Sequence, residues 1–191
     1  MMLINPLNRP FSVQDVAGLR KISPASARVL CSRYARKGTI IRLKNNLYIN
    51  GANWDYLSWE DRLKLANSIQ VPSYISLLTA LSYYEVTTQV PVSRIESIAK
   101  TRSYAKEIRG IEFSFTKIAK NLYTGFTRRN GLFIASPEKA LADAVYLSSL
   151  GRYALDLSAM DWDALSRSKF QSELKRLPDK ARNWWKTNGP A

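Results

Sequence analysis

Histidine is missing from this sequence and cysteine occurs once, at Cys31. Without histidine the common zinc sites cannot be assembled, and Ser-His pairs, Cys-His pairs and the usual general base near neutral pH are lost as well. One cysteine forbids an internal disulfide. No run approaches the roughly 18 to 20 continuous apolar residues that a membrane-spanning helix needs, and Met1 to Pro10 lacks the charged and apolar regions of a signal peptide. A cytoplasmic location with no membrane partner is therefore expected. Acids are scarce too: 15 Asp and Glu stand against 29 Lys and Arg, a net charge of +14. A field of that sign attracts polyanions over a Debye length or more, so nucleic acid leads the candidate partners. With 46% hydrophobic residues among 191, the chain has material for one large core or two small ones.

The charge is concentrated at the start. Residues 1–52 carry nine basic side chains against the single acid Asp15. Ser12-Val13-Gln14-Asp15 reads as a capping box opening a short helix to about Arg20. Ser23-Pro24 opens a second, because serine caps well and proline at the first helical position loses no needed hydrogen bond. Gly38 closes it. On a helical wheel Ala27, Leu30, Cys31 and Tyr34 form one buried stripe, which makes Cys31 a core residue. The opposite face carries Ala25, Val29, Ser32 and Arg36, flanked by Arg28 and Arg33. From Ser23 to Lys37 there is no acid. An ordinary solvated face mixes signs; small residues among arginines suit a helix lying in a major groove, with arginine forked onto guanine or phosphate.

After Gly38, the β-branched run Thr39 to Leu43, the turn-forming Lys44-Asn45-Asn46 and the strand-like Leu47 to Ile49 predict a basic β-hairpin. A winged helix-turn-helix over 1–52 follows. Its expected DNA contacts are Ser23, Ala25, Ser26, Arg28, Ser32, Arg33 and Arg36 on the helix, with Arg42, Lys44, Asn45 and Asn46 on the wing. Asn5-Pro6 and Arg9-Pro10 leave room in front for only a short or irregular helix.

Residues 53–191 predict a second, mixed α/β domain with a small sheet and packed helices, giving the chain an α+β class. Ser58 to Asp61 caps a helix to about Ile69. Tyr74 to Tyr84 reads as another helix, rich in Ile75, Leu77, Leu78, Ala80 and Leu81. From Arg94 to Ala135 the pattern becomes strands, at Ile95 to Ala99, Gly110 to Ile118 and Leu132 to Ala135, in a sheet of three to five. Ser136-Pro137-Glu138 opens a helix to about Leu150, and Trp162 to Arg176 and Pro178 to Lys186 predict two more. Lys100, Arg102, Lys106, Arg109, Lys117, Lys120, Arg128 and Arg129 make up a second candidate basic surface, for DNA or a partner. Charges in a strand-rich region also serve to protect sheet edges. Tyr104 and Tyr123 could stack on bases, though such aromatics are usually core, and Trp184-Trp185 reads as a packing anchor.

The winged segment, Pro72-Ser73-Tyr74-Ile75-Ser76, Ala80-Leu81-Ser82-Tyr83-Tyr84, Tyr123-Thr124-Gly125-Phe126 and Ser136-Pro137-Glu138-Lys139-Ala140-Leu141-Ala142-Asp143 together resemble the AbiEi family of antitoxins from type IV toxin–antitoxin systems, over about residues 10–150. The resemblance implies an N-terminal winged domain that binds inverted repeats in its own promoter as a repressor. It also implies a C-terminal domain that neutralises a nucleotidyltransferase toxin, with no catalysis. Family members often carry a histidine where this sequence has Tyr84-Glu85, so no chemistry is assigned there. Glu138, Lys139 and Asp143 are read as structural. No catalytic residue, metal ligand or cofactor is expected. Two alternatives remain: a winged-helix transcription factor with a small-molecule-sensing second domain, and a metal-dependent nuclease in which Glu96 or Glu112 would hold Mg²⁺ beside Lys117.

Overall fold

The structure, a computed structural model, describes residues 9–190 and is mixed α+β. The expectation for the segment at Asn5-Pro6 lies outside the described residues. Two compact units divide between Ile69 and Gln70.

In the first unit, α1 (Val13–Arg20) is opened by the reciprocal box in which Asp15 N donates to Ser12 Oγ at 3.2 Å and Ser12 N donates to Asp15 Oδ2 at 2.6 Å. Lys21 ends it in the left-handed region, at φ 53°. Helix α2 (Pro24–Arg36) starts where Ser26 N donates to Ser23 Oγ at 3.1 Å, and Gly38 follows it at φ +73°. Strands β1 (Ile40–Lys44) and β2 (Leu47–Asn50) form an antiparallel hairpin. Phe11 extends it, exchanging both backbone hydrogen bonds with Tyr48 at 2.8 Å. Phe11, Val13, Val16, Ala27, Cys31, Ile40 and Tyr48 close the core, with Leu30 and Tyr34 packed on its margin. Burial of each large member is worth ~1.5–3 kcal/mol, so the stripe on α2 fixes which side of that helix faces out.

The division into compact units falls after Ile69, beyond the 52/53 boundary expected for the domains. Gly51 N donates to Thr39 O at 2.9 Å, and a Cβ on Gly51 would stand 2.5 Å from Gly38 O. The 3-10 turn Gly51–Tyr56 is thus tied to the hairpin, and α3 (Trp59–Ile69), capped through Ser58 and Asp61, completes the first unit.

The second unit is a six-stranded sheet ordered β5-β6-β4-β3-β8-β7, one strand more than expected. Its strands are β3 (Ser73–Ile75), β4 (Arg94–Ala99), β5 (Tyr104–Ile108), β6 (Ile111–Lys117), β7 (Phe126–Arg129) and β8 (Leu132–Ala135). Pairing is parallel for β4 with β6 and for β3 with β8, and antiparallel elsewhere. The predicted helix from Tyr74 to Tyr84 is corrected: Ser73–Ile75 is a central strand held on both sides, and only α4 (Leu77–Tyr83) is helical. A short apolar run fits a buried strand as well as a helix, and ladder bonds to two neighbours decide for the strand.

Helix α5 (Pro137–Ser149), with Ser136 as N-cap, is buried at eleven of its thirteen positions and packs against β8, α4, α6 (Arg167–Lys175) and α7 (Asp179–Asn188). Helix α6 begins five residues after the predicted start at Trp162, whereas α7 agrees with the predicted Pro178–Lys186 to within two residues. Before α6, Asp163 N donates to the Asp161 side chain at 3.0 Å, a local turn that holds the chain out of a helix until Ser166 caps it. Among the described residues no helix is long and apolar enough to cross a membrane.

Candidate functional site

On α2 the residues Ser23, Ala25, Ser26, Arg28, Ser32, Arg33 and Arg36 are all exposed, while Ala27 and Cys31 are fully enclosed. Burial pushes the Cys31 thiol above its ordinary pKa, which keeps it protonated and inert. Val29 is 59% exposed in the middle of the same face. It supplies an apolar surface of the kind that meets a thymine methyl, yet its type gave no reason to single it out. Ser23 and Ser26 are partly engaged with each other: Ser23 Oγ donates to Ser26 Oγ at 2.9 Å while serving as the helix cap.

The hairpin joins this face through one open depression of about 380 Å³, lined by Ser32, Ala35, Arg36, Arg42 and Tyr48. Arg36 from the helix and Arg42 from the strand therefore meet one concave surface. Arg42 also braces the hairpin tip, donating from Nη2 to Asn45 Oδ1 at 3.3 Å and from Nε to Lys44 O at 3.4 Å. Lys44 is half-buried, and that burial lowers the pKa of its ammonium. Asn46 stands apart from the expected contacts. At φ 58° it turns the hairpin, its Oδ1 accepts from Val13 N at 3.0 Å and its Nδ2 donates to Gln14 at 2.8 Å. Its side chain fastens the tip to α1. An asparagine in a tight turn signals left-handed backbone, but its tertiary bond to α1 is invisible in sequence.

The eight residues of the second basic set do not form one surface. Lys106 lies on β5 and Arg102 and Arg109 beside it, whereas Arg128 and Arg129 lie on β7 at the opposite edge, five strand spacings or roughly 24 Å away. Lys100 follows β4, Lys117 ends β6, and Lys120 sits in a 3-10 turn. Both exposed edges thus carry cations, the arrangement that discourages edge-to-edge pairing. Arg102 lies over the Tyr104 ring at 5.3 Å and Arg128 over Phe133 at 5.9 Å, and Tyr104 itself stacks on Phe115. Trp185 packs edge-on against Phe170 at 4.8 Å.

The short motifs spread along residues 72–143 converge. Lys139 Nζ donates to Asp143 Oδ1 at 2.7 Å and to Leu122 O at 2.9 Å. Asp143 Oδ2 accepts from Ser76 Oγ at 2.8 Å and from Tyr74 Oη at 3.0 Å. The Tyr74 ring stacks on Phe126 at 4.5 Å and leans on Tyr123 at 5.1 Å. Burial, then the adjacent Asp143, drives the Tyr74 hydroxyl pKa far up, so it stays a donor. Burial also raises Asp143, against the opposing pull of Lys139. Glu138, 6% exposed, accepts from Ser166 N at 3.3 Å. These groups are enclosed and satisfied by one another, so they join β3, the 122–126 loop and α5 rather than face a substrate.

The carboxylates considered for Mg²⁺ are placed otherwise. Glu112 is held by Arg94 at 2.8 Å, Glu96 is buried, and strand alternation puts Lys117 on the other side of β6 from Glu112. Among the described residues no group of three or more Asp, Glu or Cys is positioned to hold a metal ion.

No family model matches the chain, and comparison with curated proteins gives no match. Among solved structures, one described as the crystal structure of RV2827C protein from Mycobacterium tuberculosis is similar over 94% of this chain and 72% of its own, with a TM-score of 0.54 and 14% sequence identity. At that identity the likeness concerns the fold alone, a mixed α+β architecture.

Proposed function

We propose that this protein is a sequence-specific DNA-binding repressor whose first unit works as a winged helix-turn-helix. Helix α2 is the recognition helix and the β1–β2 hairpin is the wing. The observation that carries the reading is the acid-free outward face of α2, on which Arg36 shares a concave surface with Arg42 of the hairpin. Ala25, Ser32 and Val29 are short enough to let that face approach base edges, Arg28, Ser32 and Arg36 make the groove contacts, the arginines forking onto guanine, and Arg33, Arg42 and Lys44 supply phosphate contacts. Asn45 lies at the tip beside Arg42. Asn46 acts indirectly, by fixing the wing to α1.

Following the AbiEi resemblance, the biological role proposed is that of an antitoxin in a type IV toxin–antitoxin system. The protein represses its own operon at promoter inverted repeats and neutralises a nucleotidyltransferase toxin, without catalysis. The residues that carry the resemblance gather at Tyr74, Ser76, Lys139 and Asp143, where they serve the second unit's core. Footprinting the full chain on the DNA upstream of its own gene tests the first half, and protection of an inverted repeat is expected. Co-expression with the adjacent open reading frame tests the second: growth arrest relieved by this protein supports it, and a harmless neighbour rejects it.

A further inference from the structure

In the second unit, the start of α4, strand β4 and the stretch following α5 border a cleft of about 400 Å³. That size is within the range of small-ligand pockets, roughly 300–1,000 Å³. Its polar groups come from Arg94, Glu96, Arg152 and Tyr153, and Pro91 and Val92 form an apolar wall. Glu96 is 6% exposed. Its Oε2 accepts from Leu78 N and from Tyr153 Oη, each at 3.1 Å, and among the described residues nothing donates to Oε1. Oε1 is not sealed from solvent, so it is open to a donor entering the cleft that Glu96 lines.

The cations lie close by. Arg94 is on the same face of β4 two positions earlier, about 7 Å along the strand. Its Nε and Nη2 are tied to Glu112 Oε2 at 3.1 and 2.8 Å. Arg152 is exposed at the rim. We propose that this cleft binds a small zwitterion, a primary ammonium carrying a carboxylate or phosphate a few bonds away, with the ammonium on Glu96 Oε1 and the anion between Arg94 and Arg152. Any apolar side chain of the ligand lies along Pro91 and Val92. An incoming ammonium offsets the cost of a buried carboxylate, whose pKa is raised above the ordinary value chiefly by that burial.

The site is coupled to the core. Leu78 N donates both to Glu96 and to Tyr153, Leu77 before it is held at φ 55°, and Ser76 before that donates to Asp143. A ligand that charges Glu96 tightens a segment already fastened to the Lys139–Asp143 pair, so occupancy raises the stability of the second unit.

The inference is independent of DNA binding, and calorimetric titration of the full chain tests it, with thermal unfolding alongside. The probes are L-serine, L-leucine and phosphoethanolamine, with n-propylamine and acetate as the two halves. Saturable binding of at least one zwitterion with a raised Tm, stronger than either half, is expected. Amino acids alone identify a carboxylate ligand, and phosphoethanolamine alone a phosphate one. Arg152→Ala and Glu96→Gln each weaken binding about tenfold or more, and each variant's own unfolding transition reports that it is folded. No saturation by any probe at about 10 mM, equal binding of the halves, or undiminished binding to folded Arg152→Ala overturns the proposal.

Discussion

Lys139 Nζ lies 2.7 Å from Asp143 Oδ1, with only 2% and 1% of the two side chains exposed. Neither charge reaches water, and both are held by neighbours from a central strand, a loop and the helix itself. The second unit is organised around this pair.

Removing one partner leaves the other charged and enclosed. Lys139→Met is expected to destabilise the fold by about 3–5 kcal/mol in denaturant unfolding, whereas the double replacement Lys139→Met/Asp143→Leu recovers a large part of the loss. A single-variant cost under about 1 kcal/mol contradicts the burial of the pair.

Gly125 guards the same lysine. It sits at φ +73°, and a Cβ there would stand 2.9 Å from Lys139 Cγ and 3.0 Å from Cδ. Gly125→Ala therefore combines an unfavourable backbone with a steric clash, for an expected loss of more than about 1 kcal/mol. Gly131→Ala has a comparable φ of +81° but open space around it. Comparing the two unfolding midpoints separates the clash from the backbone effect.

Burial holds the Glu96 carboxyl above its ordinary value of 4.5, so the folded protein keeps that proton more tightly than the unfolded chain. The associated stability is fully present below 4.5 and is lost as pH rises through the folded value. Glu96→Gln cannot ionise, and its stability is expected to decline less than the wild type's as pH increases from 4.5 upward. Parallel curves from unfolding titrations at stepped pH contradict this.

Arg42 is proposed to meet phosphate rather than base. Arg42→Ala is therefore expected to weaken binding by a similar factor on operator and on unrelated DNA, and to reduce the slope of log affinity against log salt by about one. Loss confined to the operator assigns Arg42 to base reading instead.

The first unit was largely legible because its signals are local: Ser12 with Asp15, Ser23 with Pro24, and the buried stripe Ala27–Cys31–Tyr34 each act within a turn or two of helix. The edge strands were not. In β7, Thr127, Arg128 and Arg129 are exposed, and in β5 Lys106 and Glu107 break the apolar alternation, so both read as polar connection although Asn130-Gly131 marks the hairpin between β7 and β8. The strand Ser73–Ile75 was hidden because an enclosed strand has no alternation, and its partners lie at Ser97 and Ile134. The same distance in sequence concealed the meeting of Tyr74 and Ser76 with Asp143. Each motif could be read in its own stretch, while their convergence depends on the sheet order.

The most direct test is fluorescence anisotropy of the full chain, at about 0.15 M salt, on the DNA upstream of its own gene and on a scrambled duplex of equal length, for wild type and Arg36→Ala. The wild type is expected to prefer the upstream DNA by at least about 10³-fold. Arg36→Ala is expected to lose about 1–3 kcal/mol on that DNA, with a much smaller change on the scrambled one. Equal affinity for the two duplexes, or unchanged upstream binding by folded Arg36→Ala, contradicts this.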